Sequence, residues 1–253
     1  VREEWITSRK NPLLVQIRRL ASSRGARRSA GMFLGDGAKL LEEALKWGAP
    51  LETVVYSEGL DGPELPPEVR TVRVPEDVMA SISPMESPQG ALFLCRMWDT
   101  APPPRLEGGR YLVLDGLQDP GNVGTIWRTA DALEADGLLL VHGCAGPFGP
   151  KVVRATMGAC FRLPVWETGP ERLADLLERS GLALYATALR EDTEDIKTAD
   201  LSRSAVVIGS EGRGVSPELL AMSQRALKIP MRERCESLNA AAAAAVVLWE
   251  MGR

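Results

Sequence analysis

A chain of 253 residues exceeds one average domain, and 45% apolar beside 25% charged residues is the composition of a globular protein able to bury a core. The net charge of −4 gives no hint of nucleic acid when averaged over the chain, but Arg2, Arg9, Lys10, Arg18, Arg19, Arg24, Arg27 and Arg28 are opposed within residues 1–30 only by Glu3 and Glu4. Four scattered cysteines (Cys95, Cys144, Cys160, Cys235) and a single histidine support neither a zinc site nor a disulfide framework, and any Ser-His-Asp or Cys-His chemistry would have to pass through His142.

The basic N-terminal arm reads either as a solvated charged face or as a segment for a polyanion. The N-terminus carries no apolar leader, and the longest apolar run, Ala240–Trp249, is too short to cross a bilayer. A cytoplasmic protein with reduced thiols and no membrane contact is therefore expected.

After the arm, "MFLGDGAKLLEEALKWGAPLETVVYSEG" predicts strand, turn, helix and strand, with Leu40, Leu41, Ala44, Leu45 and Trp47 at helical spacing. "VRTVRVPEDVMASIS" and "GALFLCRMW" continue the alternation, giving a small α/β domain over residues 1–98. "DTAPPPRLEGGR" then breaks every pattern with three prolines and a glycine pair, so 99–109 reads as a linker. From residue 110 to 253 the strands "YLVLDGL", "GLLLV", "ALYATAL", "AVVIGS" and "ALKIPM" are apolar on both faces. They alternate with helical segments such as "PERLADLLERSG", which indicates a parallel sheet covered by helices. In such α/β sheets ligands sit outside the carboxyl ends of the strands, so the loops leaving them are the candidate site.

Three of these loops stand out. In "LDGLQDPGNVGTIWRTADALEADG", Asn122 can cap a helix whose buried stripe is Val123, Ile126, Trp127, Ala130 and Leu133, while Arg128 lies off the stripe, either solvated or facing a cleft. In "VVIGSEGRGVSPELL", Gly209, Gly212 and Gly214 let the backbone approach a ligand, and Ser216-Pro217 starts the next helix. That loop lacks the lysine of a P-loop and the spacing of a dinucleotide fingerprint, and Glu211 would repel phosphate. In "LKIPMRERCESLNAAAAAAVVLWE", Ser237 and Asn239 are both residue types that cap helices, so capping alone would explain them.

Taken in order, the three loops resemble the signature motifs of the SpoU/TrmH family of S-adenosylmethionine-dependent RNA ribose 2′-O-methyltransferases, in the SPOUT superfamily. The matching residues are Asn122 and Arg128 in "NVGTIWR", Gly209 and Glu211 in "IGSEGRG", and Ile229-Pro230-Met231 with Ser237-Leu238-Asn239 in "IPMRERCESLN". "KVVRATMGACFRLPV" is similar to the segment between the first two motifs. The N-terminal "ITSRKNPLLVQIRRL" and "FLGDGAKLLEEAL" resemble the family's substrate-binding domain, itself like a ribosomal protein, with Asp36 where relatives commonly carry glutamate.

The resemblance implies an α/β fold with a deep trefoil knot in the C-terminal domain, a rare exception to the rule against knots. It implies S-adenosylmethionine as cofactor, held near Thr187, Gly209, Ile229, Met231 and Leu238, and a catalytic set of Asn122, Arg128, Glu211, Ser237 and Asn239. It further implies a homodimer, no metal, and RNA held by the N-terminal domain and basic arm. Ribosomal RNA is the leading substrate, because family members acting on tRNA often lack that domain. A tRNA methyltransferase and a non-catalytic RNA-binding protein on the same scaffold are the alternatives. A Rossmann oxidoreductase would need a glycine fingerprint that "LDGLQDPGNVG" does not provide.

Overall fold

Prolines or short polar side chains start all but one of the described α-helices, and continuous apolar runs make the central strands. The computed structural model describes residues 4–188, 192–232, 234 and 237–253; Arg2 and Cys235 lie outside the described residues. In chain order the elements are β1 (Glu4–Trp5), α1 (Pro12–Ser22), α2 (Arg24–Ala30), β2 (Met32–Asp36), α3 (Ala38–Lys46), β3 (Leu51–Ser57), β4 (Arg70–Val74), α4 (Glu76–Ile82) and β5 (Ala91–Arg96). They continue with β6 (Arg110–Asp115), α5 (Pro120–Ala132), β7 (Gly137–Val141), α6 (Pro150–Ala155), β8 (Val165–Glu167), α7 (Pro170–Ser180), β9 (Ala183–Thr187), β10 (Glu194–Asp195), β11 (Ser204–Gly209), α8 (Pro217–Met222), β12 (Arg225–Lys228) and α9 (Ala240–Met251).

The chain forms two compact units, Val1–Asp99 with Gly146–Phe161, and Thr100–Ala145 with Arg162–Arg253. In the first, a sheet of order β1-β4-β3-β5-β2 runs parallel through β1, β4 and β3 and antiparallel at β5 and β2. Gly146–Phe161 joins this unit through its aromatic ends: the Phe148 ring lies 5.2 Å from Phe33, and Phe161 lies 6.5 Å from Phe93. Leu40, Leu41 and Ala44 face its core as the helical spacing predicts, but Trp47 does not. It sits at the C-cap of α3 and is 49% exposed, because the helix ends before its stripe reaches that residue.

The basic N-terminal segment is folded, not an extended arm, over its described residues. Asn11 caps α1 by accepting from the Leu13 amide, Pro12 opens the first turn, and Leu13, Leu14, Ile17 and Leu20 are buried at helical spacing. Ser23 caps α2 in turn, and Gly31 ends it in the left-handed conformation.

The second unit holds a seven-stranded sheet of order β10-β12-β9-β11-β6-β7-β8, parallel throughout. β7 is buried along its whole length and β6 along all but its first residue, which is why these strands read as unbroken apolar runs. Thr100–Gly109 belongs to this unit and is tied to it: the Thr100 carbonyl accepts from the Glu167 amide, the Leu106 amide donates to Ser180 Oγ, and Leu106 is buried. On α5 the residues Val123, Ile126, Trp127 and Ala130 are wholly buried, each large one contributing about 1.5–3 kcal/mol. Trp127 also donates from its indole to the Leu163 carbonyl at 3.0 Å, so Trp127→Ala would cost about 3–5 kcal/mol.

Candidate active site

Because β12, β9, β11, β6 and β7 stand side by side and parallel, the loops leaving them open onto one edge of the sheet. There a cavity of about 280 Å³ is lined by Thr187 at the end of β9, Gly209 at the end of β11, and Ile229, Met231 and Leu238 from the stretch between β12 and α9. These are the five residues assigned to the cofactor by the motif resemblance. Ile208, Val215 and Leu227 make the rest of the wall largely apolar, and Glu211 and Ser237 also reach it.

Gly209 is required sterically. A Cβ at that position would lie 2.2 Å from the backbone of Gly214 and Val215, which no side chain tolerates. Ser210 and Gly214 exchange backbone hydrogen bonds of 3.0 and 2.8 Å, and Gly214 takes φ +68°, so Ser210–Gly214 closes as a tight turn walling the cavity.

At that turn the polar motif residues meet. Asn122 donates from its amide to Glu211 Oε1, and Asn239 Nδ2 reaches both Asn122 Oδ1 at 3.2 Å and Glu211 Oε1 at 3.3 Å. Asn239 uses its other face to cap α9, accepting from the Ala241 and Ala242 amides at 2.9 and 3.3 Å. Capping and site architecture are thus shared by one side chain. Thr187 spends its hydroxyl on the Val207 carbonyl at 2.8 Å and therefore faces the cavity as a spacer.

Arg128 stands apart from this assembly. It is exposed, does not line the cavity, and has no hydrogen-bond or ion-pair partner among the described residues. It lies six positions after Asn122 on α5, about 9 Å along the axis and a third of a turn around it.

Two features escaped the sequence reading. The cap of α5 is Asp119, whose Oδ1 accepts from the Asn122 amide at 2.7 Å with Pro120 in the first turn. The cap position read for Asn122 is thereby corrected, and the signal was the Asp-Pro pair that opens helices. The second is His142, which is more than a loop residue. Its Nδ1 lies 2.6 Å from the buried carboxylate of Asp115, and that hydrogen bond raises the pKa of its imidazole above the ordinary histidine value. Cys95, Cys144 and Cys160 are buried and in no disulfide, and burial pushes the Cys95 thiol up to about 12. Among the described residues no cluster of three or more His, Cys, Asp or Glu is placed to hold a metal.

Residues 109–249 match the model of the SpoU rRNA Methylase family. The chain belongs to that family. Residues 11–92 of this SpoU protein match the MRM3-like substrate binding domain, so both halves of the motif resemblance are borne out. It is 32% identical to the 23S rRNA (guanosine(2553)-2'-O)-methyltransferase RlmP of Bacillus subtilis, over 97% of this chain and 98% of that one. It is 31% identical to the 23S rRNA (uridine(2479)-2'-O)-methyltransferase of Streptomyces viridochromogenes, over 98% and 91%. The crystal structure of AdoMet-bound rRNA methyltransferase from Sinorhizobium meliloti matches with a TM-score of 0.86 at 30% identity, covering 98% of this chain and 97% of that one.

Proposed function

We propose that this chain is an S-adenosylmethionine-dependent methyltransferase that modifies a ribose 2′-hydroxyl of 23S ribosomal RNA. The observation that carries the reading is the convergence of Thr187, Gly209, Ile229, Met231 and Leu238 on one cavity, with Glu211 shared between that cavity and the Asn122–Asn239 cluster. The relatives named above act on 23S rRNA, and the structural neighbour holds AdoMet. The cavity fits such a cofactor: apolar side chains suit an adenine and a thioether chain, bare backbone at Gly209 permits close approach, and the Glu211 carboxylate suits a cation. S-adenosylmethionine supplies there a methyl group already activated on a sulfonium.

A ribose 2′-hydroxyl is a feeble nucleophile, so the protein has to aim it and disperse its developing charge. Arg128 takes the electrostatic part, stabilising the alkoxide or a neighbouring phosphate, while the proton passes to phosphate or water; a guanidinium is too basic to be the base itself. Asn122, Glu211, Ser237 and Asn239 hold the ribose. The isolation of Arg128 from the cavity supports a homodimer in which the arginine serves the site of the second copy. So does α9, where Ala242, Ala245, Val246 and Trp249 form an outward apolar stripe at helical spacing, Trp249 being 64% exposed. The family's trefoil knot, with the segment carrying the third motif threaded through a loop, belongs to the same reading.

In the basic N-terminal segment, residues 4–30, the cations left for RNA phosphates are Lys10, Arg19 and Arg28, exposed and without ion-pair partners among the described residues. No helix of the described residues is long and apolar enough to cross a membrane. We place the protein in the cytoplasm with its ribosomal substrate.

The test is to map 2′-O-methylation on total RNA with and without the gene. One 23S ribose losing its methyl group is the expected result; a change confined to tRNA overturns the substrate. Arg128→Ala should lower turnover on the order of 10²–10³-fold with S-adenosylmethionine binding intact, the cost of losing one preorganised charge donor. Near-normal turnover would remove the arginine from the mechanism. Trp249→Glu should convert a dimer to a monomer in light scattering.

A further inference from the structure

A second cleft, of about 520 Å³, shares the turn residues Ser210 and Gly214 with the cofactor cavity and is lined further by Asp115, His142, Arg213, Ser216 and Glu218. The turn is therefore a partition between two spaces, and its position depends on what grips it from behind. Asp115 is the last residue of β6, and its register partners are the last residues of the flanking strands, Val141 of β7 and Gly209 of β11. Its carboxylate is 3% exposed. One oxygen takes His142 Nδ1 at 2.6 Å, from the loop after β7; the other accepts the Ser216 amide at 2.6 Å, from the end of the glycine-rich loop.

We propose that Asp115 and His142 form a positioning pair that fixes the Ser210–Gly214 turn where it walls the cofactor cavity. Neither Asp115 nor His142 lines the cofactor cavity or bonds to the Asn122–Glu211–Asn239 cluster; their side chains act through the loop. The inference rests on the methyltransferase reading for what the cavity holds.

Two features mark the pair as more than incidental packing. His142 is held at φ +55°, in the left-handed region that a non-glycine residue occupies only when its surroundings impose it. Its other ring nitrogen, Nε2, faces Glu218 Oε2 at 3.2 Å, on the first turn of α8 just beyond the Ser216 cap. A ring with a carboxylate at each nitrogen is satisfied on both sides only when both nitrogens carry protons. The groups facing His142 are Asp115 from β6, Glu218 from α8, and Arg213 across the cleft; the buried Cys144 thiol nearby is raised by desolvation and stays neutral.

The bond to Asp115 raises the imidazole pKa in the folded protein, so the complete bridge is present below the ordinary value of about 6.5 and is lost as pH rises through the raised folded value. The turn should be best ordered, and cofactor affinity highest, on the acid side of that window.

The experiment compares wild type with His142→Asn, since asparagine tolerates the left-handed backbone yet cannot be charged. S-adenosylhomocysteine binding is measured calorimetrically from about pH 6 to about pH 8.5, and amide hydrogen exchange at residues 209–216 is followed in the free protein. The wild-type constant should weaken relative to that of His142→Asn by about fivefold across the range, the low end of coupling between sites, while saturated turnover of the two stays similar. Taking the ratio cancels titration of the ligand itself. Asp115→Asn, which keeps the volume and one acceptor, should speed exchange at Ser216 at every pH. Parallel affinity profiles, or unchanged exchange in both variants, would overturn the pair. A wild-type chain that bound no cofactor would instead defeat the methyltransferase reading, and exchange would then decide the pair by itself.

Discussion

At the carboxyl edge of the seven-stranded sheet, Asn122 and Asn239 share a hydrogen bond across 117 positions of sequence, and both reach Glu211. In the first unit the opposite happens. Cations that are close neighbours in the chain are sent different ways: Arg9 to Asp77, Arg18 to the Arg9 carbonyl, and Arg27 inward to the Leu20 carbonyl. A parallel sheet gathers distant loops because every strand leaves it on the same side. A helix disperses a run of like charges because successive residues turn by about 100°. What looks scattered in the sequence can be a site, and what looks like a patch can come apart.

The largest effect expected on the gathered side is at Gly209. In Gly209→Ala the new methyl meets Gly214 and Val215 backbone at 2.2 Å, and backbone on both sides cannot yield as a flexible side chain would. S-adenosylmethionine affinity should fall by more than about 10²-fold, roughly 2.7 kcal/mol or more. Calorimetry decides it, with circular dichroism confirming that the fold persists; retained binding would mean that the turn is not the cavity wall.

The dispersed side is sharpened by Arg27, one of the cations first assigned to the arm. Only 9% exposed, it donates to the Leu20 carbonyl at 2.6 Å, and burial lowers its pKa. It works as an internal tie between α1 and α2, so Arg27→Ala should destabilise the protein by about 1.5–3 kcal/mol, the range for a hydrogen bond to a charged group. Chemical denaturation measures the loss. RNA binding should change no more than the loss of folded protein explains.

Asn239 tests whether capping and site roles separate. Asn239→Ala removes the α9 cap and should cost about 1 kcal/mol of stability. Asn239→Ser keeps a capping oxygen and should restore the stability, yet it has no amide to reach Asn122 and Glu211, so its turnover should stay low. Equal turnover in Ser and Asn versions would reduce Asn239 to a cap.

The legibility of the two regions follows from the same contrast. The parallel sheet was readable because two-sided burial leaves unbroken apolar strands, and the cavity residues were readable because three motifs matched in order. The Asp115–His142 pair was invisible: it depends on the register of β6 against β7, which no local pattern encodes. Asp119 and Asn122 are both residue types that cap helices; Pro120 directly after Asp119 is the sequence sign that favours Asp119, and the hydrogen bond from the Asn122 amide bears it out. In the basic segment the charges were plain, but their partners Asp77 and Leu20 were fixed by how α1 packs.

The smallest effects fall on the exposed cations, and they divide by partner. Arg9 pairs with Asp77 at 2.7 Å, but both side chains are more than half exposed, so the pair is screened and contributes under about 1 kcal/mol. Arg9→Ala should leave denaturation and RNA affinity nearly unchanged, because its charge is already partly answered. Arg19 and Arg28 have no such answer among the described residues. Replacing either by alanine should also leave stability unchanged, but it should weaken RNA binding and lower the slope of log affinity against log salt by about one unit each. A filter-binding salt series on a 23S rRNA fragment separates the three. If Arg9→Ala changed the slope as much as Arg19→Ala, the ion pair to Asp77 would have to open on RNA, and the charge run would act as a patch after all.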